Sequence, residues 1–207
     1  ERVCFYHLAY TAQGRGVASD DCTLQETREA IEKIINKTRE IHQSGYKLDV
    51  LTVDNHADGP YLYLKMKREN HPRAEEVRQM LEWNGGNQSG VGISSIYPLG
   101  NAHADQFSWQ YSFGNVKERP FSAIWPDTSH PRMAILKDRQ PHLKGRCREC
   151  RFLDVCNGNL RARAESFFGD FLAPDPSCYL TDEEIGYEAI DDEWQVPVQA
   201  AGREVAT

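Results

Sequence analysis

No stretch of the 207-residue sequence approaches the run of about 20 apolar residues that a membrane helix requires. The start of the chain lacks the apolar core of a secretion signal, and nothing points to an oxidising compartment, so we expect a cytoplasmic protein that binds no membrane. Basic residues are fewer than acidic ones, 24 against 31, and the net charge of −7 argues against a nucleic acid as partner. Repeats and low-complexity tracts are absent, and 40% hydrophobic residues suit a folded chain with a buried core.

The six cysteines are unevenly spread. Four of the six cysteines lie close together with intervals of two, five and twenty-one residues, and they are Cys147, Cys150, Cys156 and Cys178. A C-x2-C pair lets two thiolates from one turn reach one metal centre, and four thiolates suit either Zn²⁺ or a [4Fe–4S] cluster. Zinc ribbons usually carry two such pairs, and nearby arginines would offset the negative charge of a cluster, so we favour iron–sulfur over zinc or four free thiols.

The first 88 residues alternate strand and helix patterns. We predict a buried strand over 2–10 that holds Cys4 in the core, a helix over 23–43, a strand over 48–53 and a helix over 72–83. This order is typical of an α/β domain with a parallel sheet, in which functional residues gather on the loops that follow the strands.

After residue 88 the pattern changes. Residues 92–105 predict a β-hairpin with a Gly-Asn turn, and 113–125 contain a short helical stretch. Thr181 has the pattern of a residue that caps a last helix. The tail after Asp191 is acidic and then small and polar, and we expect it to be frayed.

Several motifs together carry a family resemblance. The four cysteines, with Gly158 and the Arg161–Ala164 stretch, resemble the SPASM/twitch region of radical SAM enzymes. Over about residues 3–188 the chain is similar to the tetrapyrrole-modifying radical SAM enzymes of haem d1 biosynthesis, the NirJ type. The matching stretches are Phe5–Leu8, Val53–Gly59, Asn84–Asn87, His103–Phe107 and Pro174–Glu184.

The resemblance implies an α/β fold in two parts. Residues 1–88 would be the C-terminal half of a partial TIM-like (β/α)6 radical SAM barrel, 89–188 a small α+β SPASM/twitch domain, and 189–207 a flexible tail. The four cysteines would hold one auxiliary [4Fe–4S] cluster. A second auxiliary cluster would need a cysteine four positions after Cys156, where the chain has Leu160.

The motif C-x3-C-x2-C, which binds the cluster that cleaves S-adenosylmethionine, is absent. We therefore expect the chain, which opens on Glu1, to be truncated at its N-terminus and inactive alone. The full-length enzyme would use S-adenosylmethionine and a second [4Fe–4S] cluster, with flavodoxin or ferredoxin as electron donor. Its substrate would be a sirohaem-derived tetrapyrrole whose propionate side chains it modifies.

Eight further polar residues are candidates for binding substrate or S-adenosylmethionine, each with an ordinary structural role as the alternative. They are His7, Arg15, Asn55, His56, Asn87, Ser89, His103 and Gln106. Three other functions stay open: a haem-pathway decarboxylase of the alternative sirohaem route, a SPASM peptide maturase, and a non-catalytic iron–sulfur electron-transfer or zinc-binding module.

Overall fold

The structure is a computed structural model that describes residues 1–9, 11, 20–188 and 194. Its first elements are β1 (Arg2–Tyr6), α1 (Leu24–Gln43), β2 (Asp49–Val53), α2 (Asp58–Arg68) and α3 (Ala74–Asn84). The later ones are β3 (Ser95–Ile96), β4 (Ala102–His103), α4 (Phe121–Ile124), α5 (Pro131–Lys137), α6 (Gly145–Arg148), α7 (Leu153–Cys156), α8 (Arg161–Phe168) and α9 (Asp182–Ile185). Arg15 and, except for 194, the predicted flexible tail 189–207 lie outside the described residues.

Helix α1 begins where its sequence predicts. The Thr23 side chain accepts a hydrogen bond from the Glu26 N–H, and the Glu26 carboxylate accepts one from the Thr23 N–H at 2.8 Å. This capping box satisfies two backbone donors that the first turn leaves unpaired. The helix ends at Gln43, two residues before Gly45, which has a φ of +85°. Ile31 points into the core and is 2% exposed.

Strands β1 and β2 pair in parallel, as the strand–helix–strand order predicts, with Arg2 opposite Asp49 and Tyr6 opposite Val53. The prediction of a buried strand over 2–10 is wrong in two respects. β1 ends at Tyr6, and all five of its residues are exposed. Cys4 is likewise exposed and not a core residue. The physical reason is that β2 is the neighbouring strand of β1 in a sheet of two, so among the described residues little covers its faces.

Helix α2 was not predicted from the sequence. Its first turn contains Gly59 and Pro60, a pair that ordinarily indicates a loop. Proline is nevertheless compatible with the first turn of a helix, where its missing N–H would have no partner. Pro60, Tyr61 and Met66 then point inwards, and this places α2 against α3.

The β-hairpin is confirmed, although its strands are short. Ser95 pairs with His103 and Ile96 with Ala102, and the chain reverses at Gly100, whose φ is +96°. A small apolar core lies behind it. Its fully buried members include Ala102, Ile124, Met133 and Leu136.

The main core joins the early helices to the cysteine-bearing residues near the end of the chain. Helix α7 packs on both α2 and α3. The buried side chains of this core include Ile31, Tyr61, Tyr63, Phe152, Val155 and Ile185. The mixture of helices with a parallel strand pair agrees with the predicted α/β class. The domain boundary at residue 88 stays a prediction. Within the described ranges, no helix has the length and apolar character needed to cross a membrane.

Candidate metal centre and the adjoining polar cavity

The four predicted cysteine ligands come from separate short elements of the region 145–180, called the cysteine segment below. Cys147 lies in α6, Cys150 follows it, Cys156 ends α7, and Cys178 lies in the loop before α9. All four line one cavity, and none is in a disulfide. The other two cysteines, Cys4 and Cys22, are exposed elsewhere. The structure therefore brings together the four cysteine side chains that the sequence spacing predicts to form one set.

The cysteine cavity is small, at about 20 Å³, which leaves room for one water-sized atom. Among the described residues, no group of three or more His, Cys, Asp or Glu side chains is arranged as a metal site. The assignment of the four thiols as ligands therefore stays a prediction. As a donor set they suit Zn²⁺ or a [4Fe–4S] cluster.

Burial strongly affects the acidity of these thiols. It raises the pKa of Cys156 well above its usual value, and the other three thiols raise that pKa further. Burial also raises the pKa of Cys178 to about 12, against an opposing effect of the Arg146 guanidinium. The sulfur atoms are thus close enough for their charges to interact in a poorly solvated site. Burial thus disfavours a free thiolate at Cys156 and Cys178, and a bound metal centre would compensate the thiolate charge.

A buried ion pair holds the cysteine segment together. The Asp175 carboxylate accepts hydrogen bonds from Arg163 Nε at 2.8 Å and Nη2 at 2.9 Å, and from the N–H groups of Leu160 and Ser177. Asp175 also lines the cysteine cavity. It therefore joins the chain after Cys156 to the loop that carries Cys178.

Arginines 161 and 163 have a structural role in the cysteine segment. Arg161 donates to the carbonyls of Gly158, Phe171 and Ala173, and both side chains are 2% exposed. Asp175 was missed, although an aspartate in Pro-Asp-Pro-Ser is a typical residue for bonding the N–H two positions later.

A second, polar cavity of about 230 Å³ lies at the carboxyl end of β2. Five of the eight further candidate residues line it: Asn55, His56, Asn87, Ser89 and Gln106. Asp54 and Asp105, which were not among the candidates, line it as well. The expectation that functional groups gather beyond the carboxyl ends of the strands is consistent with this arrangement.

Two asparagines of this cavity are bonded to the cysteine segment. Asn55 donates to the Ser177 carbonyl at 3.0 Å, and its amide oxygen accepts from Asn159 at 2.8 Å. Asn87 accepts a bond from the buried Arg139 at 2.8 Å, and its backbone carbonyl accepts one from Asn157 at 2.7 Å. Both residues thus have a structural role beside any contact with a ligand.

The glycine-rich turn before Asn87 approaches the cysteine segment closely. Gly86 has a φ of +63°, and a Cβ placed there would lie 2.3 Å from the carbonyl carbon of Cys156. The Asn87 N–H donates to the Cys156 carbonyl at 3.1 Å. Only glycine fits this close approach, which brings Asn87 of the polar cavity into contact with Cys156 of the cysteine cavity.

The ionisable residues of the polar cavity are only partly solvated. Burial lowers the pKa of His56, which keeps the imidazole neutral at pH 7. Burial raises the pKa of Asp54, while Arg163 and His7 oppose that rise. Asp54 also has a φ of +72°, an uncommon backbone conformation for a residue other than glycine.

The remaining candidates that the structure describes do not line the polar cavity. His7 Nε2 is 2.9 Å from Asp58 Oδ2, and Tyr179 donates to Asp58 Oδ1 at 2.7 Å. His103 is buried in the hairpin, where its Nδ1 bonds the Tyr111 carbonyl at 2.9 Å. Its Nε2 has no hydrogen-bond partner in the described part of the chain.

Similarity to known proteins covers nearly the whole chain. Fe-coproporphyrin III synthase from Methanosarcina barkeri is 53% identical over 189 residues, which are 90% of this chain and 47% of that protein. Pre-heme d1 synthase from Dinoroseobacter shibae is 40% identical over 185 residues, 87% of this chain and 45% of that protein. AdoMet-dependent heme synthase from M. barkeri is 42% identical over 66 residues, 31% of this chain and 18% of that protein.

The chain spans about half the length of the first two of these relatives. No family model matches it. The three relatives nevertheless agree in kind, since each is named for making a haem or a haem-related macrocycle. The resemblance predicted from the motifs is confirmed: the chain is homologous to part of the radical SAM enzymes of the haem pathway.

Proposed function

We propose that the chain is part of a radical SAM enzyme that modifies the side chains of a sirohaem-derived tetrapyrrole. The observation that carries this proposal is the match of about nine tenths of the chain to two macrocycle synthases at 53% and 40% identity. Neither a peptide maturase nor an electron-transfer protein is among these relatives. The partial (β/α)6 barrel and the SPASM/twitch domain belong to the same proposal.

The identities favour one product over another. The higher identity, 53%, is to a protein named Fe-coproporphyrin III synthase, and the lower, 40%, is to one named pre-heme d1 synthase. We therefore favour the haem-pathway reaction, which is the decarboxylase alternative, over haem d1 formation. Anaerobic turnover of the full-length protein with sirohaem-derived tetrapyrroles, followed by mass spectrometry of the product, tests this. Fe-coproporphyrin III is the expected product, whereas formation of pre-haem d1 would favour haem d1 formation over the haem-pathway reaction.

We also propose that the four cysteines hold one auxiliary [4Fe–4S] cluster. Two thiols from helices α6 and α7 and two from loops line one cavity. Asp175, paired with Arg163, bonds both the chain that follows Cys156 and the loop that carries Cys178. When bound, such a cluster supplies one-electron redox chemistry. The residues around it hold its ligands and keep water out. The contact between Asn87, which lines the polar cavity, and Cys156 would keep the cluster close to a ligand in that cavity.

S-adenosylmethionine and a second [4Fe–4S] cluster are proposed as cofactors of the full-length enzyme. The name of the third relative, AdoMet-dependent heme synthase, supports this. Flavodoxin or ferredoxin as the electron donor is part of the same proposal. Asn55, His56, Asn87, Ser89 and Gln106 are proposed to contact substrate or S-adenosylmethionine because they line one polar cavity.

The metal content separates a cluster from the zinc alternative. After anaerobic reconstitution, the full-length protein should bind iron and sulfide as two clusters. Cys178→Ser should lose about half of that iron, because it removes one of four ligands to one of the clusters. Cys4→Ser, which changes an exposed cysteine outside the cavity, should lose none. A colourless protein that holds one zinc ion tightly would show that the four cysteines form a structural zinc centre and not a cluster.

A further inference from the structure

A chain of hydrogen bonds links the cysteine segment to the end of β1. Tyr179, directly after Cys178, donates to Asp58 Oδ1 at 2.7 Å, and Asp58 Oδ2 lies 2.9 Å from His7 Nε2. Asp58 is the first residue of α2, and His7 follows β1. Tyr179 and Asp58 are 4% and 8% exposed, whereas the His7 side chain is 16% exposed. The two buried residues are therefore fixed, and the histidine at the end of the chain of bonds can reach a ligand.

The chemistry of the three groups fixes the tautomer of His7. A phenol keeps its proton near neutral pH, so Tyr179 donates and one Asp58 oxygen accepts. A carboxylate only accepts, so the second oxygen takes the proton carried by His7 Nε2. In the neutral form of the ring, Nδ1 then bears a lone pair. No other hydrogen bond to the His7 ring is present among the described residues.

We propose that His7 is a catalytic acid–base residue of the tetrapyrrole reaction, and that Asp58 and Tyr179 are positioning residues for it. The proposal rests on the proposed function and names a role at the same site. His7 Nδ1 takes a proton from an O–H or N–H group of the bound substrate. The electron pair of the broken bond stays on the oxygen or nitrogen, and the Asp58 carboxylate balances the charge of the imidazolium. This is the arrangement by which a carboxylate orients a histidine base in hydrolases.

The position of His7 suits this role. It follows β1, the parallel neighbour of β2, at the edge where β2 opens into the polar cavity. Asp54, in the wall of that cavity, lies within electrostatic range of His7. Both residues thus follow the carboxyl ends of the two paired strands, where ligands bind in parallel α/β sheets.

Nitrogen NMR tests the positioning without any turnover. Full-length protein is labelled with ¹⁵N-histidine, and the His7 resonances are identified by their loss in His7→Gln. The proton is expected on Nε2 in the wild type. In Asp58→Asn it should move to Nδ1, because the amide can present its N–H to Nε2; Asp58→Glu should restore Nε2–H. A wild-type proton on Nδ1, or an Asp58→Asn variant with an unchanged tautomer, would overturn the positioning role.

Turnover tests the catalytic role. His7→Gln should lower the turnover rate by roughly 10²–10⁴-fold, the usual contribution of a general base, with tetrapyrrole binding changed only a few-fold. Asp58→Asn should also lower the turnover rate, and Asp58→Glu should recover part of it. His142→Gln, at an exposed histidine, is the matched control. Full turnover by a folded His7→Gln protein would refute the proposal. Lack of tetrapyrrole turnover by the wild type would refute the proposed function, while the NMR result would still decide the positioning.

Discussion

The cysteine segment and the β1–β2 sheet differ in which side chains they bury. In the segment, the charged side chains of Arg163 and Asp175 are 2% and 1% exposed. In the sheet, the apolar Phe5 and Leu51 are 43% and 40% exposed. Each region thus departs from the ordinary rule that apolar residues lie inside and charged residues outside.

The difference shows that burial depends on the available partners more than on the side chain itself. Asp175 accepts four hydrogen bonds, and this compensates for the loss of water around its carboxylate. In the sheet, by contrast, the described residues provide little apolar surface to cover β1. The comparison predicts large effects of polar substitutions in the segment and small effects of apolar substitutions in the sheet.

The largest effect is expected from Asp175→Ala. The change leaves the buried Arg163 without its counter-charge and two backbone N–H groups without an acceptor, so the free energy of unfolding should fall by roughly 3–5 kcal/mol. Urea denaturation of the wild type and the variant measures this. Asp175→Asn, which keeps an acceptor oxygen, should lose less.

Glu76→Ala is the matched control, because it breaks the Arg73–Glu76 pair on the exposed side of α3. Exposed pairs contribute little to stability, so no measurable change is expected. Equal losses in Asp175→Ala and Glu76→Ala would remove the distinction between the buried pair and the surface pair, and with it the role of Asp175 in holding the segment.

Much of the local structure could be predicted because it depends on near neighbours in the sequence. The capping boxes at Thr23 and Thr181 predict the starts of α1 and α9, and each is formed by residues three apart. Cysteine spacing likewise predicts which thiols share a cavity, since two of the three intervals are short. The parallel pairing of β1 with β2 follows from the helix between them.

What could not be predicted depends on contacts between distant residues. Asp175, Asn157 and Asn159 act through partners that are adjacent only in the folded chain, such as Asn55 and Asn87. The local sequence pattern also does not predict that β1 is exposed, because an apolar run has the same pattern whether or not another element covers it.

A second, smaller effect is expected from the carboxylate that joins α9 to α1. The Arg28 guanidinium lowers the pKa of Glu184 from 4.5 to about 2, with help from the Thr181 N–H. Because the pKa is lower in the folded state, the stabilisation is present above pH 4.5 and is lost as the pH falls towards 2. Glu184→Gln should remove about 2–3 kcal/mol at pH 7, and much less at pH 2.5. Denaturation at both pH values measures this; an equal loss at both would exclude the ion pair as its cause.

The smallest effect is expected in the sheet. Phe5→Thr replaces an exposed aromatic ring by another residue that favours strands, so the free energy of unfolding should change by less than about 0.5 kcal/mol. Phe152→Ala is the matched contrast, because that ring is 1% exposed in the main core and its loss should remove about 3–5 kcal/mol. Urea denaturation of both variants checks the difference. A Phe5→Thr loss close to that of Phe152→Ala would mean that Phe5 is buried in solution, and the contrast between the sheet and the cysteine segment would then fail.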